Sequence, residues 1–291
     1  MADLDAAAQA TMRRLTFEPA PPDLAPLLFG FVHRDDPQCG AVVRVLPEPR
    51  SSIQIMVEDP YWLRDTDDDA PWRRLPRIAL WGPRHQWCYG YAARHIRAYA
   101  VGLSAIGLRA LAATPAPHLL NQVAALEVVQ PALAHALTPN NGESFPSWRD
   151  RATAVLRTFF ATRAITHDPL GPAIDILATA EGGAVADAAD AAGLSERQFR
   201  RVFLDLYGVT PKRYQRALRV DRMIRRLHAA PWEDDAFAAP IPFADQPHAI
   251  REFQAMTGLT PRAYLHAKRR GDATLRSVDG ESIAPPQHAG A

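Results

Sequence analysis

The densest chemistry in the chain lies between Ser195 and Leu227. Arg197, Arg200, Arg201, Lys212, Arg213, Arg216, Arg219, Arg222, Arg225 and Arg226 face only Glu196, Asp205 and Asp221 there, ten basic residues against three acidic ones. This local excess of seven positive charges sits in a protein whose formal net charge is +1. Such a cluster attracts phosphates, and its affinity for them falls with salt. An Arg fork also matches guanine O6 and N7, and a Gln amide such as that of Gln198 matches adenine. A basic run taken alone is equally well the solvated face of a helix, so its setting has to decide.

Other reactive residue types are sparse. Cys39 and Cys88 lack metal-ligand spacing and suit a reducing cytosol. Arg84 and His85 make Cys88 the better candidate for an oxidant-sensing thiol, an inert thiol being the plainer alternative. His33, His85 and His95 have no consistent metal spacing. No nucleophile–base constellation or phosphate loop is present, so no catalytic residue, metal or cofactor is expected, and the chain does not read as an enzyme.

Internal repetition supplies the setting. Phe203-x4-Gly208-Val209-Thr210-Pro211-x-x-Tyr214 recurs as Phe253-x4-Gly258-Leu259-Thr260-Pro261-x-x-Tyr264, every matched position offset by 50 residues. The same offset maps Arg201 onto Arg251 and Ser195 onto Asp245. In the first copy Val185–Ala192 reads as a short Ala-rich helix ended by Gly193 in the left-handed conformation. Ser195 is the N-cap of the next helix, Glu196–Tyr207. On it Phe199, Phe203 and Leu206 follow i, i+4, i+7 and must face a core, while Arg197, Arg200 and Arg201 project elsewhere. Gly208 ends that helix, and Thr210-Pro211 starts another running to about Leu227. A short helix, a Gly turn and a second helix with a basic outer face form a helix-turn-helix able to enter a major groove.

These residues resemble the double helix-turn-helix of the AraC/XylS family of bacterial regulators. Gly193-Leu194-Ser195 through Tyr214 is similar to the family's first unit. Phe243-Ala244-Asp245-Gln246-Pro247-His248, Arg251-Glu252-Phe253 and Thr257-Gly258-Leu259-Thr260-Pro261 are similar to its second, over about residues 170–268 in all. The resemblance implies a sequence-specific transcription regulator whose two units, joined by a long helix, enter successive major grooves of double-stranded DNA. It puts the DNA-facing positions at Ser195, Arg197, Gln198, Arg200 and Arg201 in the first unit and at Gln246, His248 and Arg251 in the second. Arg201 and Arg251 suit a phosphate clamp as well as base reading, and His248 suits helix packing equally. The departure from the pattern is Phe237-Ala238-Ala239-Pro240-Ile241-Pro242, where the family has a helix: a proline inside a helix costs about 3 kcal/mol, so that helix ends near Ala239 or is distorted. A regulator reading DNA mainly with its first unit is therefore one alternative. The other is a DNA-binding module fused to an alkyl-transfer repair enzyme. Neither Asp36-Pro37-Gln38-Cys39-Gly40 nor Gln86-Trp87-Cys88-Tyr89 supplies the Pro-Cys-His-Arg setting that such an enzyme needs.

The remaining chain must hold and control these units. At 291 residues, 47% of them hydrophobic and 22% charged, it is long enough for two domains with a sizeable core. Residues 1–20 read as a short helix and an extended Pro-rich arm. Residues 21–130 read as a sensor domain, with strands at Ala41–Leu46, Ser52–Val57, Arg77–Trp81 and Ile96–Leu103 making a small sheet or barrel. Helices are expected at Ser104–Ala112, His118–Val129, Trp148–Arg163 and Ala173–Glu181. Residues 131–168 then form a helical linker, 169–270 the all-α double helix-turn-helix, and 271–291 a disordered tail. The fold class is thus α+β. Trp81-Gly82-Pro83-Arg84 and Ala100-Val101-Gly102-Leu103 resemble an uncharacterised sensor-type domain often found before this module, a resemblance that names no ligand; a small-molecule effector in this domain, RNA polymerase and a second copy of the chain are expected as partners beside DNA. Trp81, Trp87, Tyr89 and Tyr91 either line an effector pocket or fill a β-core. With no membrane span and no secretory signal in view, the expected compartment is the cytoplasm.

Overall fold

The computed structural model describes residues 14–36, 42–58, 60–67, 69–163, 170–179, 183–229 and 246–269. They form an α+β fold in which antiparallel sheets precede a helical C-terminal part. The first sheet runs in the order β1 (Arg14–Pro19), β2 (Leu28–Asp36), β9 (Ile96–Leu103), β4 (Ser51–Met56), β7 (Ile78–Trp81), β10 (Val123–Ala125). The second runs β3 (Val42–Val45), β8 (Cys88–Ala92), β5 (Tyr61–Arg64), β6 (Arg73–Arg74).

The alternation in β4 explains how the first sheet acquires two faces. Ile53 lies between Val101 of β9 and Leu80 of β7, and Ile55 between Tyr99 and Ile78. All six side chains are buried in one core, because residues two apart on a strand point the same way. Met56, Ala98, Ala79 and Trp81 turn to the opposite face and join Tyr61, Leu63, Cys88 and Ala92 of the second sheet in a separate cluster.

Helices cover the first face. α1 (Ala105–Ala112) is capped by Ser104, whose Oγ accepts from the Gly107 N–H at 3.0 Å. After α2 (Leu126–Val129) and α3 (Pro131–Leu137) comes α4 (Phe145–Ala161), which buries Phe145, Trp148, Ala152, Leu156 and Phe160 along one stripe. Trp148 meets Phe31 and Tyr99 at ring-centroid distances of 6.2 and 5.0 Å, and its Nε1–H donates to the Leu137 carbonyl at 2.8 Å. Arg151 ties the same corner by donating to Glu143 and to the Thr138 carbonyl. Then follow α5 (Gly171–Leu177), α6 (Val185–Ala191), α7 (Glu196–Tyr207), α8 (Pro211–Ala229), α9 (Gln246–Thr257) and α10 (Pro261–Arg269).

Several expectations are corrected. β2, at nine residues the longest strand described, was not anticipated, nor were β5, β8 and β10. Residues 14–19, read as an arm, pair along their length with β2. The helix expected over His118–Val129 is instead a single 3-10 turn at Ala116–Leu119, then β10 and the four-residue α2. Asn121 takes φ +59, which breaks a helix there, and the edge of β7 offers the following residues a ladder, with Val123 opposite Trp81. Residues 1–13, the stretch Phe237–Pro242 with its two prolines, and the tail 271–291 lie outside the described residues. Among the described residues no helix is long and apolar enough to cross a membrane.

Trp148→Phe keeps the ring but leaves the buried Leu137 carbonyl without that donor. It should lower stability by about 1–3 kcal/mol, read as a shift in the urea midpoint with unchanged slope.

Candidate nucleic-acid interface

The 50-residue sequence repeat is a repeat in space. α7 and α9 begin and end at positions 50 apart, as do the starts of α8 and α10. Gly208 and Gly258 end the first pair of helices at φ +75 and +73, the left-handed conformation that a side chain disfavours. Thr210 and Thr260 then cap the next helices through their hydroxyls, accepting from Arg213 N–H at 3.4 Å and Ala263 N–H at 3.2 Å. Phe203 and Tyr214 pack edge to face at 5.4 Å; Phe253 and Tyr264 do so at 5.6 Å.

In the first unit the local expectations hold. Ala188 and Ala189 of α6 are fully buried, Gly193 turns the chain at φ +65, and Leu194 N–H bonds back to the Ala189 carbonyl at 3.0 Å. Ser195 and Gln198 form a reciprocal capping box: Ser195 Oγ accepts from Gln198 N–H, and Gln198 Oε1 accepts from Ser195 N–H at 3.1 Å. Phe199 and Phe203 are fully buried and Leu206 nearly so. Ser195, Arg197, Gln198, Arg200 and Arg201 are all exposed, brought together on the outer side of the first turns of α7. Three of them have local partners: Ser195 and Gln198 bond each other through the cap, and Arg200 pairs with Glu196 one turn earlier at 2.6 Å. In the second unit Arg251 is exposed on α9. Gln246 and His248 stand in the first turn of that helix, and their side chains lie outside the described residues.

The structure divides the basic cluster of Ser195–Leu227. Arg216 and Arg219, one turn apart on α8, both reach Glu252 of α9, at 2.8 Å (Nε to Oε1) and 3.2 Å (Nη2 to Oε2). Arg222 donates to the carbonyls of Ala178 and Thr179 beyond the end of α5, a favourable place for a cation. Lys212 and Arg213 join Arg197, Arg200 and Arg201 as exposed cations. The side chains of Arg225 and Arg226 lie outside the described residues. Counting charge along the sequence could not separate these groups, because an i, i+3 pair of arginines looks alike whether its partner is a phosphate or a distant Glu.

Both units touch the β-sheets, which sequence reasoning missed. α7 packs against α1 and the turn at Ala116–Leu119, with Arg109 paired to Asp205, and its aromatic residues share the core of the first sheet. The second unit has its own cluster, joined by Leu46 from the β3–β4 connection. Arg44, only 6% exposed, lies with its guanidinium 4.1 Å from the centre of the Trp87 ring and donates to the Gly258 carbonyl at 3.3 Å. A Cβ at residue 258 would collide with both Arg44 and Trp87.

This geometry redistributes the N-terminal candidates. Trp81 belongs to the cluster between the sheets, Trp87 stacks edge-on to Tyr89 at 4.8 Å, and Tyr91 meets Trp72 at 6.2 Å, so the four rings do not converge on one pocket. Cys88 is buried and its thiol is pushed up to about 11 by burial, the reverse of an activated sulfur. His85 is buried and pushed down to about 4, first by burial and then by the charge of Arg213. His95 bridges Asp35 and Glu58 at 2.6 and 2.7 Å. Cys39 lies outside the described residues. Among the described residues no cluster of His, Cys, Asp and Glu could hold a metal.

Comparison with known proteins adds an independent finding. Residues 188–267 match the family described as a helix-turn-helix domain. No curated protein matches the chain. Among solved structures it is similar to ToxT from Vibrio cholerae, at 11% identity over 81% of this chain and 97% of that one, TM-score 0.44. It is also similar to the DNA-binding domain of AdpA in complex with a target DNA, at 27% identity over 36% of this chain and 96% of that one, TM-score 0.32. An AraC-type regulator from Chromobacterium violaceum gives 25% identity over 35% and 91%, TM-score 0.29.

The two turn glycines should tolerate a side chain unequally. Gly193 has open space where its Cβ would stand, so Gly193→Ala should cost only the left-handed penalty of about 1–2 kcal/mol. Gly258→Ala should cost distinctly more, because Arg44 and Trp87 must also move. Thermal denaturation of the two variants side by side gives the comparison.

Proposed function

We propose that the chain is a DNA-binding transcription regulator, on the helix-turn-helix domain matched at residues 188–267, and that it reads double-stranded DNA with α7 and α9 in successive major grooves. The observation that carries this is the spatial repeat: two equivalent capped helices joined through one long helix, each exposing arginine on its outer side. Half-sites about one helical turn apart follow from that construction. Arg197, Arg200 and Arg201 read bases or clamp phosphates in the first site, with Ser195 and Gln198 holding the helix start against the backbone. Gln246, His248 and Arg251 serve the second site. Lys212, at the start of α8, contributes to phosphate binding.

The reading further assigns residues 21–130 to regulation, 131–168 to a helical connection and 169–270 to DNA binding. Modulation through the N-terminal part is supported by the contact of Arg44 and Trp87 with the turn after α9. Whatever shifts β3 or β8, an effector included, acts on the second unit through that contact.

The test is selection of a duplex operator from a random library by the purified protein, followed by titration of variants. Arg197→Ala should weaken binding to the selected operator by about 1–3 kcal/mol and relax base preference at one position. Lys212→Ala should weaken all sequences alike and reduce the logarithmic salt slope by about 1. A wild-type affinity indifferent to salt would refute the assignment. Arg44→Ala should change affinity for a two-half-site operator by about fivefold or more while leaving a single first half-site unaffected, measured by fluorescence anisotropy.

A further inference from the structure

Glu252 is a carboxylate in an unusual place. It sits in the middle of α9 between exposed Arg251 and fully buried Phe253, and its side chain is only 4% exposed. It points neither to solvent nor into the apolar cluster but sideways to α8, where Arg216 and Arg219 close on its two oxygens. A buried carboxylate held by two guanidinium groups is poor as a source of stability but strict about geometry, because the pair tolerates little change in angle or distance.

The first unit carries no carboxylate at the corresponding position. The residue 50 positions earlier is Val202, which packs partly buried against the large core shared with the sheets. The first recognition helix is therefore fixed by apolar packing on the body of the protein, with the Arg109–Asp205 pair at its edge. On one side of α9, Ala249, Phe253 and Met256 pack against Ala217, Val220, Met223 and Leu227 of α8. The Glu252 clamp lies beside this apolar interface as a polar contact whose geometry is met at one setting of the two helices.

We propose that Glu252 is a positioning residue: with Arg216 and Arg219 it fixes the angle between α8 and α9, and so fixes the half-site spacing that the protein accepts. This rests on the two-unit DNA reading proposed above. The clamp converts two of the arginines in the basic cluster from DNA ligands into parts of a ruler. Arg251 beside Glu252 is then presented to DNA in one orientation relative to Arg197 and Arg200 of the first unit.

The experiment uses the full-length protein and the operator selected by the wild type, with the distance between half-sites varied in single base pairs. The wild type should favour one spacing over its neighbours by about tenfold or more, the scale set by losing a well-placed base contact. Glu252→Gln should flatten that preference to within about threefold while affinity for an isolated first half-site stays unchanged. Glu252→Asp, which keeps the charge, should restore much of the preference. Arg216→Gln and Arg219→Gln, each leaving one arm in place, should flatten it partially and provide the test if Glu252→Gln does not fold. A purely structural role would lower the melting temperature and reduce affinity equally at every spacing. A spacing profile unchanged in the folded variants would overturn the proposal. Failure of the wild type to select any sequence would instead remove the DNA-reading proposal, and this one with it.

Discussion

The packing of Trp148 against Phe31 and Tyr99 is the junction on which the rest of the structure depends. It closes α4 onto the inner face of the six-stranded sheet. The core built around it continues without a break through Leu156, Phe160, Leu170 and Leu177 to Phe199 and Phe203 of α7. Burial of apolar surface is non-directional and roughly proportional to area, so a continuous core makes its contributors move as one body. The first helix-turn-helix unit is in this sense an extension of the sheet's core, and its basic outer turns are presented from a rigid base.

The second unit is held differently. Its cluster is separate, and its ties to the β-sheets include Leu46 and the Arg44–Trp87 pair at the Gly258 turn. Its tie to the first unit is α8, with Glu252 between Arg216 and Arg219. The second unit thus combines its own apolar cluster on α8 with polar contacts of defined geometry, whereas the first is built into the core of the sheet.

Charge follows the same division. Of the cations in the Ser195–Leu227 cluster, those near the start of α7 and the start of α8 face outward, while three on α8 are spent on Glu252 and on the carbonyls after α5. The buried histidine at residue 85, kept neutral beside Arg213, avoids adding a further positive charge where the sheets meet α8.

The sequence by itself determined everything that local spacing can encode. The offset of 50 residues, Ser195 as a cap, Gly193 and Gly208 as turns, and Phe199, Phe203 and Leu206 as the inward face are all set by interactions within a few residues. The same holds for β4 and β9, whose extended runs place residues two apart on the same face of a sheet. What only the tertiary structure decided depends on partners far along the chain. β2 mixes Gly30, His33, Arg34 and two aspartates with its apolar residues, and it is a strand because β1 and β9 complete its hydrogen bonds on both sides. β10 exists because β7 had an open edge. The fate of each arginine was likewise settled at a distance, since Glu252 lies 33 residues from Arg219 and Gly258 lies 214 from Arg44. A guanidinium carries no local mark of whether it will meet a phosphate, a carboxylate or a carbonyl, and that choice is made when the two units are brought against each other and against the sheets.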